Sequence, residues 1–119
     1  MDIEKLQDKS YAFAMRIVLF HREFCEGESR KSSFIKQLLR SGTNIGKYVE
    51  EAIGAHSDKE LLSRLNSAYK EARKTVYWLK LLLSGDFITQ EQAYDFIEDA
   101  EEIISILEEN KSATTIRYY

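Results

Sequence analysis

Gln37-Leu38-Leu39-Arg40-Ser41-Gly42-Thr43-Asn44-Ile45-Gly46-Lys47-Tyr48-Val49-Glu50-Glu51-Ala52 carries apolar residues at helical spacing, with two glycines four residues apart among them. Each interior glycine weakens a helix by about 1 kcal/mol relative to alanine. A second helix crossing closely at Gly42 and Gly46 is the expected compensation. The segment Gly42-Thr43-Asn44-Ile45-Gly46-Lys47 has a superficial likeness to a phosphate loop. It has three residues between its glycines instead of four, Tyr48 in place of Ser or Thr, and no preceding strand. The stretch therefore speaks of helix packing and not of nucleotide chemistry.

Working outward, this helix is predicted over residues 32–55, with Phe34, Leu38, Ile45, Val49 and Ile53 as its stripe. Before it, residues 8–25 read as a first helix capped by Asp8, followed by a break at 26–30. Its middle, residues 11–20, is apolar nearly all round, so it should be buried on more than one side, by a central position or by a partner subunit. After it, Ser57-Asp58-Lys59-Glu60 is a capping box opening a third helix over 58–84. Its stripe is Leu61, Leu65, Ala68, Ala72, Val76, Leu79 and Leu83, and it stops at Ser84-Gly85-Asp86. Thr89-Gln90-Glu91-Gln92 is a second box, opening a fourth helix over 89–110 with Ala93, Phe96, Ala100, Ile103 and Leu107 inward. Asn110-Lys111-Ser112 matches a glycosylation sequon but reads as an exposed polar helix end. Residues 113–119 have strand-like composition and are expected to fray as a tail. Short breaks between long helices favour antiparallel neighbours, so the chain is read as all-α, an antiparallel up-down four-helix bundle over residues 1–112 with a tail at 113–119.

The composition agrees. A chain of 119 residues without proline suits one domain of uninterrupted helices. The single Cys25 forms no internal disulfide and fits a reducing compartment, and Met1-Asp2-Ile3-Glu4-Lys5 lacks a signal-peptide layout, so a cytoplasmic location is expected. No apolar run approaches the roughly 20 residues that span a bilayer, and no membrane partner is expected. The net charge is −3, but it is unevenly laid out. Residues 27–86 hold eleven Lys and Arg against seven Asp and Glu, whereas residues 87–119 hold eight acids against Lys111 and Arg117. Such asymmetry leaves room for a local basic surface.

Catalytic chemistry is sparse. A di-metal bundle site wants Glu-x-x-His on two helices, yet Val18 and Ile53 stand three residues before His21 and His56. Cys25 has no neighbouring base, and nothing assembles a nucleophile, base and oxyanion site. No enzyme activity, metal or cofactor is expected. Two clusters remain. Lys70, Arg73, Lys74, Tyr77 and Lys80 fall at helical spacing off the apolar stripe, where cations and an aromatic can follow a phosphate backbone. The plainer alternative is a solvated face with Glu71 pairing Lys74. Trp78 and Leu81 lie to one side of the stripe, and with Phe13, Ile17 and Phe20 of the first helix they are the candidate oligomer interface.

The run Gln37-Leu38-x-Arg40 followed by Ile45, Gly46, Val49 and Glu51 resembles the four-helix bundle proteins encoded in intervening sequences of bacterial 23S ribosomal RNA genes, often described as a ribosomal protein family. Lys59-Glu60-Leu61, Leu65, Ala68, Thr75 and the ending Ser84-Gly85-Asp86-Phe87-Ile88 extend the resemblance, as do Lys9-Ser10 and Phe13-Ala14 near the start. Tyr48, Ala52 and Lys74 depart from the Asn, Gly and Glu common in that family. The resemblance implies a cytosolic bundle assembled as a ring-like homopentamer, with no established enzymatic activity. It also implies similarity to the accessory protein of diversity-generating retroelements, a pentameric bundle that binds a reverse transcriptase and nucleic acid. The expected function is RNA or ribonucleoprotein binding, or alternatively a protein adaptor for a partner enzyme such as a reverse transcriptase.

Overall fold

Leu6, Ser10, Phe13, Ile17 and Phe20 alternate four-residue and three-residue steps, and that spacing lays them along one face of a helix, α1 (Ile3–Phe24). The computed structural model describes residues 3–24 and 29–118, with side chains described for 3–24 and 33–117. Three more helices follow: α2 (Ser29–Ile53), α3 (Asp58–Ser84) and α4 (Gln90–Tyr118). The same step recurs in each. Ile35, Leu38, Ile45, Val49 and Ala52 are buried on α2, and Leu65, Ala68, Ala72, Thr75, Leu79 and Leu82 on α3. A sustained seven-residue period is the seam of coiled-coil-like packing, with helices crossing at about 20°.

The helices pack in chain order around a square, α1 on α2, α2 on α3, α3 on α4 and α4 back on α1, so α1 and α3 lie on one diagonal. The bundle measures 49 × 21 × 19 Å. Both predicted capping boxes form. Ser57 Oγ accepts from the Glu60 amide at 3.1 Å, while Glu60 reaches back to the amide of His56. Thr89 and Gln92 exchange both bonds, at 2.9 and 3.1 Å. At the end of α3, a Cβ on Gly85 would stand 2.8 Å from the Phe87 ring, so only glycine lets that ring fold back. Asp86 makes the turn with a φ of 59°.

Several sequence expectations are corrected. α1 begins at Ile3, so Asp8 is no cap; fully buried Leu6 carries the seam one step further back. α2 starts at Ser29, shortening the expected break, and Cys25 lies outside the described residues. Phe34 and Ile53 are exposed, the seam passing through Ile35 and Ala52 instead. The largest change is in α4, which continues to Tyr118 where a fraying tail is expected. Its seam runs on through Asn110 and Thr114, 2% and 0% exposed. Their donors bond the helix itself, Asn110 Nδ2 donating to the Ile106 carbonyl at 2.8 Å and the Thr114 hydroxyl to the Asn110 carbonyl at 2.7 Å, while Asn110 Oδ1 is buried without a hydrogen-bond partner among the described residues. Asn110 is thus a buried seam residue and not an exposed helix end.

The α1–α4 seam is the most open of the four, and charge does much of the joining. Arg16 bonds Asp99 and, at 2.6 Å, Asp95, with its guanidinium 4.5 Å from the Phe96 ring centre. Lys9 pairs with Glu102 at 2.7 Å. The hydrogen bond from Lys9, joined by the charges of Lys9 and Lys5, holds the Glu102 carboxyl below its ordinary value of 4.5. A carboxyl depressed by folding stabilises the bundle above its unfolded pKa, and that contribution disappears as pH falls through the lower folded value. Carboxyl-resolved NMR titration should therefore find Glu102 with a midpoint below 4.5, moving back toward it in Lys9→Gln. An unshifted midpoint in the natural chain would mean the pair does not form in solution.

Candidate nucleic-acid interface

The core face of α3 is set by its leucine and alanine seam, so residues half a turn away must face solvent. Lys70, Arg73, Lys74, Tyr77 and Lys80 all lie there, exposed. The structure divides them. Arg73, Tyr77 and Lys80 line a groove of about 240 Å³ between α3 and α4, floored by Val76 and Ile104. Tyr77 is 58% exposed and lines the groove, its ring 5.6 Å from that of Trp78 in an edge arrangement. Glu101 of α4 lines the same groove and places one carboxylate against its two cations. Lys74 turns the other way, its ammonium 3.3 Å from Glu71, whose side chain is only 13% exposed. The plainer sequence reading thus holds for Lys74. Lys70 is exposed one turn earlier.

The candidate interface residues separate too. Phe13, Ile17 and Phe20 are taken by the chain's own core: Phe13 and Phe20 meet Phe96 edge to face, and Ile17 lies under Gly42. They are no longer available to a second copy. What α1 leaves exposed is Tyr11, Met15, Val18 and Leu19, which sequence reasoning passed over because the whole run is apolar. Trp78 is half-buried and Leu81 exposed, beside Phe34, Tyr77 and Phe87. Phe34 lies 6.3 Å from Trp78 and 5.6 Å from Phe87 between ring centres.

Both glycines sit on the α1–α2 contact, unequally. A Cβ on Gly42 would lie 3.1 Å from Ile17 Cγ1, tighter than ordinary contact, whereas one on Gly46 would lie 3.5 Å from the Ser10 carbonyl oxygen. The tighter contact is at Gly42, against a side chain, while at Gly46 the facing atoms belong to the backbone of α1. On the α2–α3 seam the hydroxyls of Ser41 and Thr75, both buried, hydrogen-bond at 3.1 Å. Among the positions that depart from the family pattern, Tyr48 is half-buried with the Lys47 ammonium 5.0 Å over its ring, and Ala52 joins the core. His56 is exposed. Among the described residues, no group of three or more His, Cys, Asp or Glu could hold a metal ion. No described helix is long and apolar enough to cross a membrane.

An all-α bundle of four helices with heptad seams is the class this geometry defines. Residues 4–109 match the family described as 23S rRNA-intervening sequence protein. The chain belongs to that family. It is also similar, at 39% identity and a TM-score of 0.88, to a crystal structure of a protein with unknown function from the S23 ribosomal protein family of Bacteroides thetaiotaomicron VPI-5482. That similarity covers 94% of this chain and 99% of the other. No curated protein matches.

Proposed function

We propose that the protein is a non-enzymatic, cytoplasmic bundle that assembles with copies of itself and binds RNA or a ribonucleoprotein through the α3–α4 groove. One observation carries the reading: Arg73 and Lys80 flank the exposed ring of Tyr77 in a single groove. Two cations can follow a phosphate backbone while the ring between them stacks on a base, an arrangement tolerant of sequence. Assembly would repeat the groove once per subunit, and in the pentameric ring implied by the resemblance five weak sites would act together.

The test is a titration of single-stranded and structured RNA at low and physiological salt, comparing the natural chain with Arg73→Gln/Lys80→Gln. Neither substitution touches the core, so circular dichroism should stay unchanged. The natural chain should bind both RNAs with weak sequence preference and lose affinity steeply as salt rises. The variant should bind about tenfold or more weakly, since two charge-assisted phosphate contacts are gone. Equal binding by the two proteins, or no binding at low salt, removes the groove as an RNA site. The adaptor reading then leads, favoured by Glu101 in the groove and by the exposed aromatic corner around Phe34 and Tyr77.

A further inference from the structure

We infer that copies of the chain meet head to tail, the outer face of α1 on one copy docking in parallel along the outer face of α3 on the next. The inference rests on the self-assembly reading above and names the two surfaces that carry it. Among the described residues, two groups of large apolar side chains stay exposed after folding, apart from the scattered Ile53, Tyr94 and Ile116. On α1 they are Tyr11, Met15, Val18 and Leu19, with Tyr11 70% exposed. On α3 they are Tyr77 and Leu81, exposed beside half-buried Trp78 and the exposed ring of Phe34. α1 and α3 occupy one diagonal of the bundle, so a single chain cannot bring these faces together. Only another molecule can cover either of them.

The charges beside them select the partner and the register. Along α1 the exposed residues include Glu4, Asp8, Tyr11 and Met15; along α3 they include Lys70, Lys74, Tyr77 and Leu81. Both series step by four, three and four residues, and therefore trace the same path on their helices. Laid parallel, Glu4 stands opposite Lys70, Asp8 opposite Lys74, Tyr11 opposite Tyr77 and Met15 opposite Leu81. Two acids meet two bases while two apolar residues meet two apolar residues. An antiparallel arrangement sets Glu4 against Leu81 and Asp8 against Tyr77, and loses every pair. Lys74, although 3.3 Å from Glu71, keeps a side chain 63% exposed and so remains open to a second carboxylate. The contact joins different patches on the two copies, which makes it heterologous and able to repeat. Arg73 and Lys80 face α4 across the groove, outside this contact, while Tyr77 borders both surfaces and gives one side of its ring to each.

The experiment uses two full-length variants, Met15→Glu on the α1 face and Leu81→Glu on the α3 face. Both positions are exposed and helical, so the fold should be kept, as circular dichroism will verify. Light scattering should show the natural chain as an assembly and each variant alone at the single-chain mass of 13.9 kDa. Mixed in equal amounts, the two variants should form a species of twice that mass and no larger. The intact α3 face of Met15→Glu meets the intact α1 face of Leu81→Glu, and neither copy can extend the chain. A natural chain that is itself monomeric overturns the self-assembly reading as a whole. An assembled natural chain whose variants both stay assembled overturns only the assignment of surfaces. Loss of assembly in Met15→Glu alone points to a symmetric α1 contact and overturns the head-to-tail arrangement, as does a mixture that stays monomeric at the highest concentration used for the natural chain.

Discussion

Phe96→Ala is expected to lower the stability of the bundle by about 3–5 kcal/mol, the usual cost of deleting a buried aromatic ring. Phe96 is the point where α4 meets α1. Its ring receives Phe13 at 6.1 Å and Phe20 at 5.2 Å, both edge on, and Arg16 lies against it at 4.5 Å. Removing the ring opens a cavity on the one seam that is already loosely packed, and it takes the surface on which Arg16 rests between Asp95 and Asp99. Phe96→Leu keeps most of the apolar volume and should cost less than about 1.5 kcal/mol. Urea unfolding at a fixed protein concentration measures both. Equal, small losses for the two variants would mean that charge pairs alone hold the seam, and the aromatic cluster would lose its assigned role.

Gly42→Leu is expected to destabilise by about 1–3 kcal/mol or more through overpacking. A Cβ at Gly42 already presses on two carbons of Ile17, at 3.1 and 3.2 Å, and Ile17 is itself buried against the core. Three further carbons have nowhere to go unless α1 moves away from α2. Gly46→Ala is the control. Its Cβ makes ordinary contact with Ser10, so the gain in helix propensity, about 1 kcal/mol, should appear almost undiminished. Thermal unfolding should thus move in opposite directions for the two variants. A stabilised Gly42→Leu would show that the crossing at this glycine is not close.

Heptad spacing and caps made the helices readable. Ser57 with Glu60 and Thr89 with Gln92 marked two helix starts within a residue because the cap is a local exchange of hydrogen bonds that needs nothing from the rest of the chain. The end of α4 was not readable for the converse reason. Asn110 and Thr114 are polar letters at seam positions, and only the neighbouring helices make it worthwhile to bury them. The basic face of α3 was legible as spacing, but its division was not. Arg73 and Lys80 go to the groove because α4 lies on that flank, while Glu71, tucked toward the bundle, draws Lys74 to the other.

The sequence by itself determined that there are four helices, where two of them start, and that the stretch holding Gly42 and Gly46 lies against a neighbouring helix. Periodicity, caps and the cost of glycine are properties of a short segment, and a short segment is enough to read them. Only the tertiary structure decided which apolar residues of α1 are core and which are surface. Residues 11–20 offer an apolar side in every direction, so no internal pattern selects one. The choice falls to Gly42 and Phe96, which accept Ile17, Phe13 and Phe20 from two sides and turn Tyr11, Met15, Val18 and Leu19 outward.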